Sequence, residues 1–380
     1  MAITGIICEY NPLHRGHSKQ LSTIRSADPV GSIVCLMSGN FVQRGMPAIL
    51  HKSYRAKAAI ICGADLVLEL PVTAALSSAE GFADAGVSIL SGFCDQLCFG
   101  AETADKSLLF PTAEALLTQE FSDKLRCHLD EGLSFPAARQ AAMQTLCPDA
   151  SILQQPNNIL AIEYCKAIIR HNSSMDIFPI MRQGSYHAVT PDAEDPSATF
   201  VRKAMQEKAN WMDYVPDCCI SVFENAPLHT LKNGERAMLA RLRTMTDADF
   251  EALPYGSEGL WRKLMHATRS QANLEAIAEA TKSKRYTRTR IDRMLMCAFL
   301  GISDADIKAP PAYARVLAFN DRGRQLLKAA RKTFHLPNIG QPLLHPYEKL
   351  ENRCADLYAL FADTPESAGT QQALRVYFHQ

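Results

Sequence analysis

Two histidines with a glycine between them lie close to the N-terminus, in the order His14, Arg15, Gly16 and His17. A short β-branched apolar run over Ile3 to Ile7 comes before them and is closed by a Pro turn, and the residues after them favour a helix. A helix that begins directly after a strand and a tight turn directs free N–H groups and the positive end of its dipole at an anion. The two imidazoles add donors, and Gly16 lets a ligand approach the backbone. The segment therefore predicts a phosphate site, with two exposed histidines in a surface loop as the alternative.

A second helix start carries hydroxyl groups and an arginine, at Ser197, Thr199 and Arg202. Ser197 is suited to cap the helix, and Arg202 falls on its first turns, where a guanidinium can pair with an anion. We expect this segment to contribute to the same phosphate site. A plain capped amphipathic helix is the alternative.

Positive charge is concentrated in the second half of the chain, although the formal net charge of the whole chain is zero. Between Thr281 and Lys332 there are 13 Lys and Arg and four acidic residues, so 13 − 4 leaves an excess of nine positive charges. Basic side chains interleaved with an aromatic ring, here Tyr286, suit a phosphate backbone and a stacked base. A solvated helix face is the alternative, but the run lacks the glutamates that would form i,i+4 pairs. The residues predicted to bind RNA are Lys282, Lys284, Arg285, Arg288, Arg290 and Arg293.

The elements that must position these residues alternate between strand and helix in the first half. The predicted strands are Ile3–Ile7, Ser32–Met37, Asp65–Leu70, Asp95–Phe99 and Asp176–Met181. This alternation predicts an α/β fold with a doubly wound parallel sheet. Ligands of such sheets bind outside the carboxyl ends of the strands. His14, His17, Arg44 and Gly100 all follow predicted strand ends, so one pocket is expected to collect them.

The pattern changes along the chain, which is long enough for about two domains. Residues 1–205 are expected to form a nucleotide-binding domain, with a helical insertion over about 105–172. An Asn cap is expected to start the helix of the Asn157-Asn158 segment. From Trp211 onward only helical periodicity remains, including Val316 to Phe334, so residues 206–380 are expected to form an all-helical, basic domain.

Composition narrows the class of protein further. The chain is 47% hydrophobic and 21% charged, which is ordinary for a globular protein with a large core. We expect no leader peptide, because Met1 leads directly into a predicted strand without a basic segment. No apolar run reaches the ~18 residues that a membrane span needs. The twelve cysteines are scattered without a CxxC pair, so buried reduced thiols are favoured over a metal site. We expect a cytoplasmic protein without a membrane partner, an obligate protein partner or a bound structural metal.

The HxGH pattern after a first strand resembles the signature of the HIGH-type nucleotidyltransferases. Further stretches are similar, in the same order and over almost the whole chain, to the bacterial tRNA(Met) cytidine acetate ligase family. They include EYNPLHRGH, MSGNFVQRGMPA, GADLVLELP, CFGAETAD, PNNILAIEY, SATFVRKAM and TKSKRYTRTRIDR. Leu13 and Arg15 stand where Phe and Asn are more usual, and Ser18 follows the motif.

The resemblance implies a two-step activity. Acetate attacks the α-phosphate of ATP, which yields acetyl-adenylate and pyrophosphate, and Mg²⁺ bridges the phosphates. The N4 amine of the wobble cytidine of elongator tRNA(Met) then takes the acetyl group. In this scheme His14, His17 and Arg202 meet the developing charge, with Arg44 as a further candidate, and no dedicated nucleophile is needed.

The resemblance also implies the nucleotide contacts, and it leaves open whether Asn157 or Asn158 is the contact within the PNNIL motif. The implied ATP-binding residues are Ile7, Cys8, Glu9, Tyr10, Asn11, Pro12, Leu13, His14, Arg15, Gly16, His17, Ser18, Lys19, Gln20, Gly100, Asn157, Asn158, Arg182, Ser197 and Thr199.

Two rival functions share parts of this pattern. A small-molecule nucleotidyltransferase, similar to the pantetheine-phosphate or nicotinamide-mononucleotide enzymes, would share the first domain but would not need a basic helical half. A nucleotide-sensing or RNA-binding protein would need no catalysis. The charge excess discriminates against the first rival, and acetate-dependent pyrophosphate release would exclude the second.

Overall fold

The computed structural model describes residues 1–147, 150–182, 196–283 and 285–380. Its main feature is a seven-stranded sheet with the strand order β7-β6-β1-β2-β5-β8-β9, and a two-stranded hairpin lies beside it. The strands are β1 Ile3–Cys8, β2 Ser32–Ser38, β3 Phe41–Val42, β4 Met46–Pro47, β5 Leu66–Leu70, β6 Gln96–Ala101, β7 Asp176–Met181, β8 Arg315–Phe319 and β9 Tyr377–Phe378.

Helices cover both faces of the sheet and make up most of the second half. Those of the first half are α1 Arg15–Ala27, α2 Lys52–Ile61, α3 Val72–Ala75, α4 Ala79–Leu90, α5 Lys106–Leu116, α6 Gln119–Asp130, α7 Phe135–Met143, α8 Pro156–Arg170 and α9 Ala198–Gln206. Those of the second half are α10 Asp217–Phe223, α11 Leu231–Thr244, α12 Asp247–Glu251, α13 Leu260–Ser270, α14 Leu274–Thr281, α15 Arg288–Leu300, α16 Asp304–Lys308, α17 Asp321–Ala330, α18 Glu348–Tyr358 and α19 Thr370–Ala373.

The predicted α/β class and all five predicted strands are confirmed. They pair in parallel as β7-β6-β1-β2-β5. The prediction of a helix from Val316 is wrong, because Arg315–Phe319 forms β8, which pairs antiparallel to β5. A short buried apolar run fits a strand as well as a helix, so periodicity alone does not separate the two. The sheet of the first half is therefore completed by residues of the second half.

The central strand β1 creates the site through its position in the sheet. β2 pairs with one of its edges and β6 with the other. The chain therefore reverses its direction across the sheet at β1, and a crevice opens there at the carboxyl ends of the strands. Ile6 and Ile7 pack into hydrophobic clusters on opposite faces, which is expected for a strand buried on both sides.

The segment after β2 forms a hairpin made of β3 and β4. Gly45 turns the hairpin with a φ of +75°, and its Cα lies against the backbone of α15. A Cβ at this position would lie 2.4 Å from the Arg293 nitrogen, so glycine is required on two grounds. The hairpin therefore carries Gln43 and Arg44 up to the helix that begins within the basic segment.

Helix α2 differs from the amphipathic helix that its charges suggest, because two of its charged side chains are buried. Lys52 is 2% exposed and donates to Glu69 at 2.5 Å and to Gln371 at 2.7 Å. Arg55 is 0% exposed and donates to backbone carbonyls. The periodic polar face of α2 thus packs against buried hydrogen-bond acceptors instead of facing water.

The helices of the second half share a core with the first half. Phe41, Val72 and Leu76 belong to the same hydrophobic cluster as Leu264 and Met294. Within the described ranges, none of the helices has the length and apolar character that crossing a membrane requires.

Candidate active site

A cavity of about 690 Å³ opens at the carboxyl ends of β1 and β6. Most of the predicted nucleotide contacts line it. These are Ile7, Cys8, Glu9, Tyr10, Asn11, His14, Gly16, His17, Lys19, Gln20, Gly100, Asn157 and Arg182. The expectation that strand-end residues from distant parts of the chain meet in one pocket is therefore confirmed for His14, His17, Arg44 and Gly100, although Gly100 lies within β6 instead of after it.

The two motif histidines form a stacked pair at the start of α1. Their ring centroids are 3.7 Å apart with an interplanar angle of 27°, and the Tyr10 ring lies 5.0 Å from that of His17. The His14 backbone N–H donates to His17 Nδ1 at 3.3 Å, so the second ring caps the first turn of the helix. His14 is 3% exposed, and its Nδ1 is a buried atom without a hydrogen-bond partner among the described residues. This burial excludes the alternative that the two histidines are exposed in a surface loop.

Burial keeps both imidazoles neutral at physiological pH. Desolvation, together with the positive charges of Arg182 and Arg202, lowers the pKa of His14 to about 3. Desolvation, followed by the charges of His14 and Arg182, holds the pKa of His17 well below its ordinary value. Each neutral ring still has one N–H group to donate, and an anion placed between these rings and Arg182 would favour their protonation.

The β6 side of the cavity is organised by Glu102, which sequence reasoning did not single out. Its carboxylate accepts the Asn157 side-chain N–H at 2.6 Å and the Asn158 backbone N–H at 2.8 Å, at the start of α8. The Asn158 amide oxygen accepts the Thr103 N–H at 2.8 Å, and Asn158 is 1% exposed. The hydrogen bonds of Asn158 are therefore structural. Asn157 instead lines the cavity, and its side-chain oxygen accepts a hydrogen bond from Arg182 at 3.5 Å.

The expected Asn cap of α8 is wrong, because the cap residue is Gln155 and the Glu102 carboxylate binds the free N–H groups. A carboxylate that follows β6 performs the task that a local cap performs elsewhere. Its position directly after a predicted strand end is the signal that could have identified Glu102.

Helix α9 approaches the cavity with its N-terminus. Ser197 caps it by accepting the Phe200 N–H at 3.2 Å, as predicted, and Ala198 lines the cavity. Arg202 donates to the Asn11 carbonyl at 2.7 Å and to the Thr199 hydroxyl at 2.9 Å. Ser197, Thr199 and Arg202 therefore lie beside the turn after β1, behind the residues that line the cavity.

Four members of the Ile7–Gln20 stretch do not line the cavity. Leu13 is fully buried in the core, and Pro12 lies in the same turn. Arg15 donates to Asp217 of α10 at 3.3 Å, and Ser18 also lies outside the lining. For Arg15 and Ser18 the helical period explains this, because only one face of α1 can meet the cavity.

An apolar wall that the sequence analysis missed lies in the same cavity. Phe82, Phe99, Leu160, Tyr164 and Ile180 line it, and the Phe99 and Tyr164 rings are 5.4 Å apart. Such a wall suits a flat aromatic ligand group. These residues carry no recognisable motif, since buried aromatics are also ordinary core residues.

The basic segment borders this cavity through Thr287, Thr289 and Arg293. Arg293 is only 8% exposed, and its guanidinium lies 5.0 Å from the Tyr255 ring centroid. Arg290 donates twice to the Tyr255 carbonyl, at 2.7 and 3.0 Å.

No glutamate lies at an i,i+4 position from the described residues of the basic run, as the sequence indicates, but the run does have other acidic partners. Arg288 pairs with Glu275 at 2.6 Å, with Asp292 at 2.8 Å and with Glu279 at 3.3 Å. It lines a separate cavity of about 230 Å³. Two of its partners come from α14, so the spacing within one helix could not reveal them.

The remaining members of the run are more accessible. Lys282 and Arg285 are exposed, with single surface partners in Glu279 and Glu258. Lys284 lies outside the described residues.

Comparison with known proteins agrees with this geometry. A model of the HIGH Nucleotidyl Transferase family matches residues 1–373. A protein of Acetivibrio thermocellus named tRNA(Met) cytidine acetate ligase is 34% identical over 96% of this chain and 96% of its own. A protein of the same name from Caldanaerobacter subterraneus is 38% identical, with 89% of this chain and 88% of that one covered. The chain therefore belongs to the HIGH nucleotidyltransferase family and, within it, to the family of the tRNA(Met) cytidine acetate ligases.

Two solved structures are similar over the whole chain. A crystal structure of apo TmcAL from Thermotoga maritima has a TM-score of 0.92 and 27% identity, and covers 100% of this chain and 99% of that one. A second structure of the same protein, bound with alpha-thio ATP, has a TM-score of 0.85 and 28% identity with the same coverage.

The neutral state of His14 predicts a pH dependence of stability. Its folded-state pKa lies below that of an unfolded histidine, about 6.5, so below that pH the unfolded chain binds a proton that the folded chain does not. Stability should therefore fall as the pH drops from about 6.5 to 5. In His14→Gln we expect this slope to be shallower, by up to about 1.4 kcal/mol per pH unit. Urea unfolding at several pH values measures it, and parallel curves for the two proteins would refute the assignment.

Proposed function

We propose that this protein is an ATP-dependent ligase that activates acetate as acetyl-adenylate and transfers the acetyl group to N4 of the wobble cytidine of elongator tRNA(Met). The names of the relatives support the coarser statement, a ligase that joins acetate to a cytidine of tRNA(Met). ATP as the activating nucleotide is supported by the alpha-thio ATP complex of the structural neighbour.

One observation carries the proposal: the phosphate motif and the basic segment line a single cavity. His14, His17 and Arg182 lie on one side of it, and Thr287 and Arg293 belong to the same lining. A nucleotide bound to the first group would face an RNA bound along the second. A small-molecule nucleotidyltransferase has no use for that second wall, so the arrangement favours the RNA-modifying function over this rival.

The first step is a displacement at the α-phosphorus. An acetate oxygen forms a bond to that phosphorus, and the bond from the phosphorus to the bridging oxygen of pyrophosphate breaks, so that pyrophosphate leaves with the electron pair. Fixed donors must meet the charge that builds on the phosphates. We assign this task to His14, His17 and Arg182, with the α9 N-terminus at Ala198 beside the outer phosphates. Arg202, which donates to the Asn11 carbonyl outside the lining, would add its positive charge from behind the turn.

The second step needs no nucleophile from the protein. The N4 amine of the cytidine attacks the acetyl carbonyl, AMP leaves with the electrons of the mixed anhydride bond, and the amine loses a proton. What the protein supplies is position and the exclusion of water. The apolar wall around Phe99 and Tyr164 is suited to hold the adenine and to keep water away from the anhydride.

The residues present fit Mg²⁺ held largely by the substrate. Glu9 lines the cavity, and one of its carboxylate oxygens accepts the Gln43 N–H at 2.9 Å. Mg²⁺ at phosphate sites needs only one or two protein carboxylates besides phosphate oxygens and water. The ion would neutralise charge on the leaving pyrophosphate, and Glu9 would be its carboxylate ligand.

The proposal predicts a specific loss of chemistry in His17→Ala. With ATP, isotope-labelled acetate and elongator tRNA(Met), mass spectrometry of the digested tRNA should detect labelled N4-acetylcytidine for the wild type. His17→Ala should lower its formation at least about 100-fold, the usual cost of losing one fixed donor to developing charge. His128→Ala on α6 serves as the matched control and should retain activity. An acetylated tRNA from His17→Ala at the wild-type rate, or none from the wild type, would refute the proposal.

The proposal also predicts which charges bind tRNA. The double variant Lys282→Glu, Arg285→Glu removes two exposed cations whose surface pairs contribute little to folding. It should weaken tRNA binding and reduce the slope of log affinity against log salt by about 1.4 or more. The double variant Lys124→Glu, Arg126→Glu on α6 is the matched control. Equal salt slopes for the wild type and the first variant would remove these two residues from the interface.

A further inference from the structure

Three cysteines from distant parts of the sequence meet beside α1, of which Cys218 is exposed, Cys62 is partly buried and Cys219 is buried. Cys62 ends α2, and Cys218 and Cys219 are neighbours in α10. The Cys62 sulfur lies 3.3 Å from that of Cys219 and 3.8 Å from that of Cys218. All three sulfurs lie within 4.8 Å of one another.

We propose that Cys62, Cys218 and Cys219 form a three-thiolate site for a thiophilic d10 cation such as Zn²⁺. Sulfur atoms bound to one tetrahedral zinc at about 2.3 Å are separated by ~3.8 Å, close to the spacing of these thiols. Among the described residues, this is the cluster of three metal-ligating side chains that converges to such distances.

The binding step balances without a redox partner. The three thiols release three protons to solvent, the dication binds three sulfurs, and the complex carries one net negative charge. A water molecule takes the fourth position of the tetrahedron, on the exposed side where Cys218 lies. Soft thiolate ligands select zinc or cuprous ions over Mg²⁺, so this site would not compete with the nucleotide cavity for its ion.

The consequence of occupancy is a cross-link between two halves of the chain. Cys62 caps the C-terminus of α2, whereas Cys218 of α10 lies 156 residues later in the chain. Arg15, within the histidine motif, donates to Asp217, the residue before Cys218. A bound ion would therefore hold α10 against the C-terminus of α2, next to the Arg15–Asp217 contact, and it would add its binding free energy to folding.

Cobalt titration of the reduced, full-length protein tests the site. We expect the wild type to take up about one Co²⁺ with a thiolate-to-cobalt charge-transfer band that Zn²⁺ displaces. Cys62→Ser and Cys218→Ser should each lower the affinity by about tenfold or more, since even second-shell changes cost that much. Cys127→Ser is the matched control, because Cys127 is an exposed cysteine outside the cluster. Absence of the band from the wild type, or the same band in all variants, would overturn the proposal.

A second measurement on the unaltered protein guards against variants that fail to fold. Zn²⁺ should slow the alkylation of Cys218 and leave that of Cys127 unchanged, as read by peptide mass spectrometry. Equal slowing of both cysteines, no slowing at Cys218, or a Cys62–Cys219 disulfide in place of bound metal would each overturn the proposal.

Discussion

Two guanidinium groups hold the backbone of the turn between β1 and α1, and the candidate site depends on them. Arg55 donates to the Glu9 carbonyl at 2.6 Å and to the carbonyls of Ser38, Gly39 and Leu50. Arg202 donates to the Asn11 carbonyl at 2.7 Å. Because these carbonyls point into the protein, the helix N-terminus and the imidazoles of the turn are left facing the cavity. Four backbone acceptors also stabilise the fully buried charge of Arg55, which would otherwise be costly.

The same contacts join regions that are far apart in the sequence. Arg202 belongs to α9, which follows β7 in the chain, and β8 adds a strand of the second half to the sheet. The β3–β4 hairpin lies against α15, where Gly45 permits the close approach. The nucleotide side and the basic side of the cavity are thus parts of one packed structure. We infer that catalysis and RNA binding share this cavity because the fold brings both sides to it.

The features that could be predicted from the sequence are those that depend on the order of strands and helices and on where the strands end. The parallel strands and the convergence of His14, His17 and Gly100 follow from alternation and from the rule for strand ends. The burial of polar side chains was harder to predict, because the helical periodicity of Lys52 and Arg55 fits a solvent-exposed helix face equally well. Ion-pair partners on other helices could not be predicted either, because the sequence does not show which helices pack together. The α14 carboxylates that pair with Arg288 are the example. The cysteine cluster joins positions 62 and 218, and no spacing rule connects residues that far apart.

The central claim is that the turn after β1 activates acetate on ATP before any RNA is bound. Exchange of labelled pyrophosphate into ATP measures this step directly in the absence of tRNA. We expect exchange that depends on acetate and requires Mg²⁺. It should not need tRNA, because no group of the tRNA takes part in the proposed first step. No exchange with acetate and ATP alone, while tRNA acetylation proceeds, would contradict a free acetyl-adenylate and the division of roles proposed for the two sides of the cavity.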